Sequence, residues 1–234
     1  MGLADLHTHT IYSYDGTASV PAVLARAKQI GLDVIAITDH DVMTGSLKAL
    51  ELAPRYGLEV IPAIEVTTAE GDLLALDITE KVQRDLSLVE TVLNVRELGG
   101  FCIAPHPMAS GMGMKSLSAY SILKALRNPD VAETLIGIET YNATVINKIS
   151  NHYARILADR LDIAQTASSD AHVVSAIGLG MTEFEGRTAR DLLVALQKRE
   201  TGQRKQKEWN SIRILGSWAA NYIGSAFTRL ANTA

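Results

Sequence analysis

The stretch Asp5-Leu6-His7-Thr8-His9-Thr10-Ile11-Tyr12-Ser13-Tyr14-Asp15 decides how the rest of the chain reads. Residues 2 to 7 predict a strand, and the two-residue spacing then sends His7 and His9 to one side of it, where two imidazoles can grip one cation. Asp15, on the loop that follows, adds a hard oxygen ligand or a proton acceptor. Two strand histidines satisfied by hydrogen bonds would read the same way. The weight therefore falls on what recurs after the later strands.

Working outward, Ser19 predicts the cap of a helix whose apolar positions Val20, Val23, Leu24, Ala27 and Ile30 follow the helical period and stop at Gly31. Asp33 to Thr38 is a continuous apolar run of the kind that suits a parallel strand covered on both faces, and it ends at Asp39-His40-Asp41. A helix over 44–56, bent near Pro54, leads to a strand over 58–64 that delivers Glu65. Gly71 marks the turn before a fourth strand, Leu73 to Leu76, with Asp72 at its start. Ser87 and Glu90 predict a capping box for a helix to Leu98. The fifth strand, Phe101 to Ala104, runs into Pro105-His106-Pro107, and residues 109–116 form a loop long enough to fold over a site. A helix over 117–127, a strand over 135–138 ending at Glu139-Thr140-Tyr141-Asn142, a helix over 144–160 and a strand over 162–167 follow. That last strand ends in Ser168-Ser169-Asp170-Ala171-His172, and Thr188 predicts the cap of a helix over 189–199.

Strand and helix alternate about seven times without a repeat or an internal linker, which predicts a parallel α/β architecture. A closed or nearly closed barrel is favoured over an open doubly wound sheet because polar residues stand at the C-terminal end of almost every strand. In a barrel those ends converge on one mouth. No G-x-G-x-x-G or P-loop occurs, which removes the usual nucleotide-fold readings. At 234 residues, 47% of them hydrophobic, the chain suits a single α/β barrel of residues 1–200 followed by a tail, 201–234. A net charge of −4 without a long basic block argues against duplex nucleic acid as a partner. Cys102, the one cysteine, sits in an apolar run and reads as a small buried hydrophobe rather than a catalytic thiol. With no disulfide possible and no secretion signal read at Met1, the expected compartment is the cytoplasm.

Five of the six histidines, at 7, 9, 40, 106 and 172, fall at predicted strand ends together with Asp15, Glu65 and Asp170. This exceeds the needs of one tetrahedral zinc, so two or three divalent ions are implied. Glu65 is suited to bridge two of them, and Asp170 with His172 repeats the spacing of His7 with His9. Asp39 and Asp41 read better as outer acceptors or helix caps than as ligands. Glu139 and Asn142 face substrate or cap the next helix, and His152, within a polar helix, reads as a surface residue.

The order D-L-H-T-H-T…D-G, I-T-D-H, A-I-E-V-T-T, A-P-H-P and S-D-A-H resembles the polymerase and histidinol phosphatase (PHP) superfamily of metal-dependent phosphoesterases over roughly residues 3 to 190. The resemblance implies a distorted seven-stranded, TIM-like (β/α)7 barrel with up to three divalent ions at its mouth. Matched motif by motif, it implies His7, His9, Asp15, His40, Glu65, His106, Asp170 and His172 as ligands. Similar members place a histidine near the fourth strand, where this chain has only carboxylates. Substitution by Asp72 would supply a harder ligand and favour manganese or magnesium over zinc, among manganese, zinc, iron and magnesium as candidates.

The expected reaction is hydrolysis of a small anionic phosphate ester, such as a nucleotide, a sugar phosphate or an oligonucleotide end, by a metal-bound hydroxide. Asp15 or a strand-end histidine would carry the proton. Ser168 and Ser169 lack a G-x-S-x-G elbow and are no nucleophile. Two rivals stand beside this: a barrel that binds metal or phosphate with impaired catalysis, and a metal-dependent amide or lactone hydrolase. In the tail, residues 198–207 read as a basic hinge. Ile212, Leu215, Trp218, Ala219, Tyr222, Ile223, Ala226, Phe227 and Leu230 then recur at helical spacing, predicting an amphipathic helix. That helix is expected to pack against the barrel or a second subunit, with a membrane surface as the lesser reading.

Overall fold

Nine short runs become strands: β1 (Gly2–Asp5), β2 (Val34–Ile37), β3 (Glu59–Thr67), β4 (Asp72–Leu76), β5 (Phe101–Ala104), β6 (Leu135–Asn142), β7 (Ala164–Ser168), β8 (Gly180–Phe184) and β9 (Gly202–Lys205). They are taken from a computed structural model that describes residues 1–111, 114–205 and 211–224. The strands hydrogen-bond in the order β7-β6-β5-β4-β3-β2-β1-β8-β9. The sheet curls until the segment after β7 meets the segment after β1. There Thr8 bridges Ala171, and the His9 N–H donates to the Ala171 carbonyl at 2.9 Å. The result is a nearly closed, TIM-like α/β barrel.

Two departures from the expected seven parallel strands have plain causes. β4 runs antiparallel to both β3 and β5. Only residues 68–71 join it to β3, and a parallel pair needs a crossover of a dozen residues or more. The turn is fixed by Thr68, whose N–H and hydroxyl both donate to the Gly71 carbonyl at 3.1 and 2.5 Å. Gly71 has φ +150, and a Cβ there would sit 2.6 Å from the Leu117 nitrogen. The second departure is β8 and β9, which continue the sheet antiparallel beyond β1. β9 takes up part of the stretch read as a hinge. Residues 206–207 of that stretch lie outside the described residues.

Helices α1 (Val20–Gln29), α2 (Thr44–Leu52), α3 (Leu88–Glu97), α4 (Ala119–Ala125), α5 (Pro129–Thr134) and α6 (Ile149–Leu161) cover the outer face, and α7 (Ala189–Lys198) packs against the inner core. Their starts follow the local chemistry. Ser19 caps α1, Ser87 with Glu90 forms the capping box of α3, and Thr188 with Asp191 does the same for α7. A 3-10 turn at Ala53–Tyr56 ends α2 where Pro54 was expected to bend it. α6 starts later than position 144 because the Asn142 side-chain oxygen accepts the N–H groups of Thr144 and Val145 at 2.9 and 3.0 Å and folds that segment into a turn.

The inner core joins Ala4, Leu6, Val34, Ala36, Ile61, Ala63, Leu74, Leu76 and Ile103 with Leu192, Ala195 and Leu196 of α7. Period-two alternation carries the same inward faces onward to Glu65 on β3 and Asp72 on β4. The apolar filling of the barrel therefore stops where the polar cluster begins.

Candidate metal centre

Each predicted site residue is delivered by the end of a strand or the loop after it. His7 and His9 follow β1, His40 follows β2, Glu65 lies on β3, Asp72 opens β4, His106 follows β5, and Asp170 and His172 follow β7. Backbone at positive φ marks several of these ends, including Asp41 (φ 55), His106 (φ 29) and Asp170 (φ 52). Non-glycine residues in that region are uncommon, and such strain concentrates at working sites.

Glu65 is the hub. Its Oε2 lies 3.1 Å from His7 Nε2, 3.3 Å from His9 Nε2 and 3.4 Å from His40 Nδ1, while Oε1 lies 3.2 Å from His106 Nε2. Asp15 is a second centre, with Oδ2 at 3.0 Å from His172 Nε2 and 3.3 Å from His40 Nε2. Asp170 Oδ1 joins the two halves, 3.4 Å from His7 Nε2 and 3.3 Å from His9 Nε2. All nine predicted residues fall in groups whose donor atoms lie within 4.8 Å of one another: His9 with Asp15, His40 and His172; His7 with Glu65 and His106; His7 and His9 with Asp170; His40 and Glu65 with Asp72.

The donors fit divalent cations rather than a hydrogen-bonded polar core. Both ring nitrogens of buried His9, His40 Nδ1 and Asp72 Oδ1 have no hydrogen-bond partner of acceptable geometry. Buried polar atoms without partners are costly and rare, so lone pairs converging unpaired on one space call for a cation. The charges say the same. Burial works against a charged His7, but the carboxylates of Asp170, Glu65 and Glu139 overcome it and raise its pKa well above the usual imidazole value. Burial likewise opposes an ionised Glu65, yet His40, His7 and His106 hold it well below the usual carboxylate range. Burial lowers and the Asp15 and Asp170 carboxylates raise His172, with a net rise to about 9. The shift of each imidazole is thus set by the carboxylates around it, and that of Glu65 by the imidazoles. At Asp72 the balance tips the other way: burial first and the Glu65 charge second outweigh His40 and His106 and push its carboxyl up to about 6.

The outer contacts hold this geometry. Glu139, fully buried, places Oε1 3.2 Å from His7 Nδ1, while its Oε2 accepts from the His106 N–H and from Asn142 Nδ2, both at 2.8 Å. A carboxylate only accepts, so His7 carries a proton on Nδ1 and turns Nε2 toward the cluster. Asn142 Nδ2 also donates to Asp170 Oδ2 at 3.0 Å. Asp39 accepts from the Thr10 N–H and hydroxyl at 2.6 and 2.7 Å, and Asp41 accepts from the Thr67 N–H at 2.9 Å, so both brace loops as outer acceptors. His152 is exposed on α6.

Sequence reasoning passed over two contributors, Asp5 and Tyr14, and left open whether a third packs on the barrel or on a second subunit. Asp5, buried in β1, accepts the N–H groups of Ser169 and Gly178 at 3.0 and 2.9 Å and so ties β1 to the segment carrying Asp170. A carboxylate inside an apolar strand was the available signal. Tyr14 stacks on His40 with ring centroids 4.9 Å apart. The third is α8 (Ser211–Gly224), the expected amphipathic helix, which docks beside the mouth. Its Trp218 Nε1 donates to the Asp15 carbonyl at 2.8 Å, and Ile214 is buried. The side chains of Ile212 and Leu215, and residues Ala226, Phe227 and Leu230, lie outside the described residues. Among the described residues, no helix is long and apolar enough to cross a membrane. Cys102 is buried and free, and burial pushes its thiol up, which makes it inert.

Fold and site together define an α/β barrel with clusters of His, Asp and Glu donors at its mouth. A family model described as the PHP domain matches residues 5–204, and the chain belongs to that family. It is 34% identical over 161 residues to an uncharacterized protein of Methanocaldococcus jannaschii, an alignment covering 64% of this chain and 88% of the relative. It is 25% identical over 197 residues to a 5'-3' exoribonuclease of Haemophilus influenzae, covering 82% of this chain and 63% of that enzyme. Among solved structures, a two-domain protein of Bacteroides vulgatus containing a predicted PHP-like metal-dependent phosphoesterase superposes with a TM-score of 0.72. That likeness, at 19% identity, covers 87% of this chain and 64% of the other.

Proposed function

We propose that this chain is a metal-dependent hydrolase of small phosphate esters, with two or three divalent ions held by His7, His9, Asp15, His40, Glu65, Asp72, His106, Asp170 and His172. One observation carries the reading: four imidazoles crowd a single buried carboxylate, Glu65, and leave donor atoms unpartnered, which is more ligand than one ion takes. When bound, such ions lower the pKa of a coordinated water toward 7 and neutralise charge on phosphoryl oxygens.

The chain's own residues do the rest. The lining of the mouth contains no lysine or arginine among the described residues, so a phosphate would meet its countercharge only at the cluster itself. Asp15 is opposed by burial but held far below the usual carboxylate range by His172 and His40. It therefore has no proton to give near neutral pH. This favours Asp15 as ligand and proton acceptor. Glu139 and Asp39 keep His7 and the Thr10 loop in place without touching substrate.

The test is to strip the protein with a chelator, restore manganese, and assay a nucleotide, a sugar phosphate and a dinucleotide beside an amide and a lactone. Phosphate release that depends on metal and falls at least about a hundredfold in His9→Ala is expected. Two or more ions bound with no ester cleaved would sink the reading in favour of a binding barrel, and cleavage of the amide or lactone alone would transfer it to that chemistry.

A further inference from the structure

The mouth opens into a cavity of about 400 Å³ whose floor is the donor cluster and whose walls are of a different character. Ile214, Trp218 and Tyr222 of α8 line one side, and Tyr14, Met114 and Ile146 line the rest of the rim. Tyr14 and Ile146 are exposed, at 67% and 56%. A phosphate at the cluster would leave most of such a space unfilled. Pockets of this size normally enclose most of an organic ligand against apolar and aromatic side chains.

The aromatic part of the wall is fixed. Trp218 is tied by its Nε1–H to the backbone of Asp15, itself one of the cluster residues, and packs against Tyr222 with centroids 5.1 Å apart. Tyr14 is stacked on His40, another cluster residue. Two of the rings are therefore anchored directly to groups that hold the cluster. A ring held at a set distance from the reacting phosphorus acts as a ruler for whatever is esterified to it. α8 lies beyond residues 5–204, the span the family model matches.

Resting on the phosphoesterase reading, we infer that α8 is the specificity wall of the pocket: Trp218, Tyr222 and Tyr14 receive a planar aromatic ring carried on the alcohol side of a compact phosphomonoester whose phosphate sits at the cluster. With no lysine or arginine in the described lining, nothing there favours a second anionic group on the ring-bearing part. Aromatic partners prefer offset or edge-to-face contact with another ring, which discriminates a ring from an alkyl chain beyond the area buried.

The experiment uses the full chain loaded with manganese and two non-hydrolysable probes, 2-phenylethylphosphonate and ethylphosphonate, with binding read by calorimetry. The phenyl compound is expected to bind about tenfold tighter or better. Trp218→Ala should shrink that ratio to about twofold, Trp218→Phe should keep most of it, and Tyr222→Ala should fall between. Manganese content and thermal unfolding, measured on each variant, separate a lost wall from a lost site. Equal affinity for the two phosphonates in the unaltered chain overturns the inference. So does an unchanged ratio in Trp218→Ala. The matched esters, 2-phenylethyl phosphate and ethyl phosphate, have similar leaving alcohols and test the underlying reading separately. Discrimination between phosphonates with no ester cleaved leaves the wall standing and removes the phosphoesterase; cleavage of both esters with no discrimination does the reverse.

Discussion

Glu139→Gln should weaken the tightest metal site about 10- to 100-fold while leaving the fold intact, although Glu139 is itself no candidate ligand. The magnitude follows from its three contacts: His7 Nδ1 at 3.2 Å on one oxygen, and the His106 N–H and Asn142 Nδ2, both at 2.8 Å, on the other. Glutamine keeps one oxygen. The favourable orientation leaves that oxygen with the two donors and turns the amide NH2 to His7, which must then accept on Nδ1. The His7 proton is driven to Nε2, the nitrogen that faces Glu65 and Asp170. What disappears is one charge-assisted hydrogen bond in a buried setting, about 1.5–3 kcal/mol. At about 1.4 kcal/mol per decade this is roughly 10- to 150-fold in affinity, in line with losses seen when outer partners of metal-bound imidazoles are removed. Calorimetric titration of manganese into the stripped proteins reads it directly, with circular dichroism to show that the variant folds. Affinities within about threefold of each other would refute the tautomer reasoning.

The remaining expectations are simpler. Stripping metal with a chelator should lower the unfolding midpoint, and elemental analysis after dialysis against manganese should return at least two ions per chain; a value of one or below contradicts the polynuclear reading. Asp72→His should shift the balance of metal-supported activity toward zinc, because an imidazole is softer than a carboxylate; an unchanged zinc-to-manganese ratio would remove Asp72 from the ligand set. Asp5→Ala leaves the buried N–H groups of Ser169 and Gly178 without their acceptor, so a loss of about 2–6 kcal/mol in denaturant unfolding is expected, against near-neutrality if water replaces the carboxylate. Thr188→Ala should cost about 1 kcal/mol by removing the cap of α7. Asp191, whose pKa is lowered by the N–H groups of Arg187 and Thr188, stabilises the folded state above its unfolded pKa and ceases to do so as the pH falls through its lower folded value. The destabilisation by Asp191→Asn, read by denaturant unfolding, should therefore be smaller at acidic pH than at neutral pH.

Much of this molecule is written locally. Caps at Ser19, Ser87 and Thr188, the bend at Pro54 and the buried apolar strands depend on neighbours a few residues away, so spacing and residue type suffice to place them. The polar residues at strand ends are legible for a related reason: an apolar run that stops at His or Asp has nowhere in the barrel core to put them. The antiparallel β4 was open to the same kind of reading, because residues 68–71 are too few for a crossover. β8 and β9 were not. β8 is placed by β1 from the opposite end of the chain, β9 then adds to β8, and Gly2 meets Phe184 without any local signature.

The sequence by itself determined which side chains would serve the mouth, since type and periodicity place them at strand ends. Only the tertiary structure decided how they share it. That Glu65 touches four imidazoles, that Glu139 rather than a nearer acidic residue orients His7, and that Trp218 reaches back to Asp15 all join residues separated by 25 to 203 positions. Contacts at such separations are set by how the sheet closes and where α8 docks, and no window along the chain contains both partners.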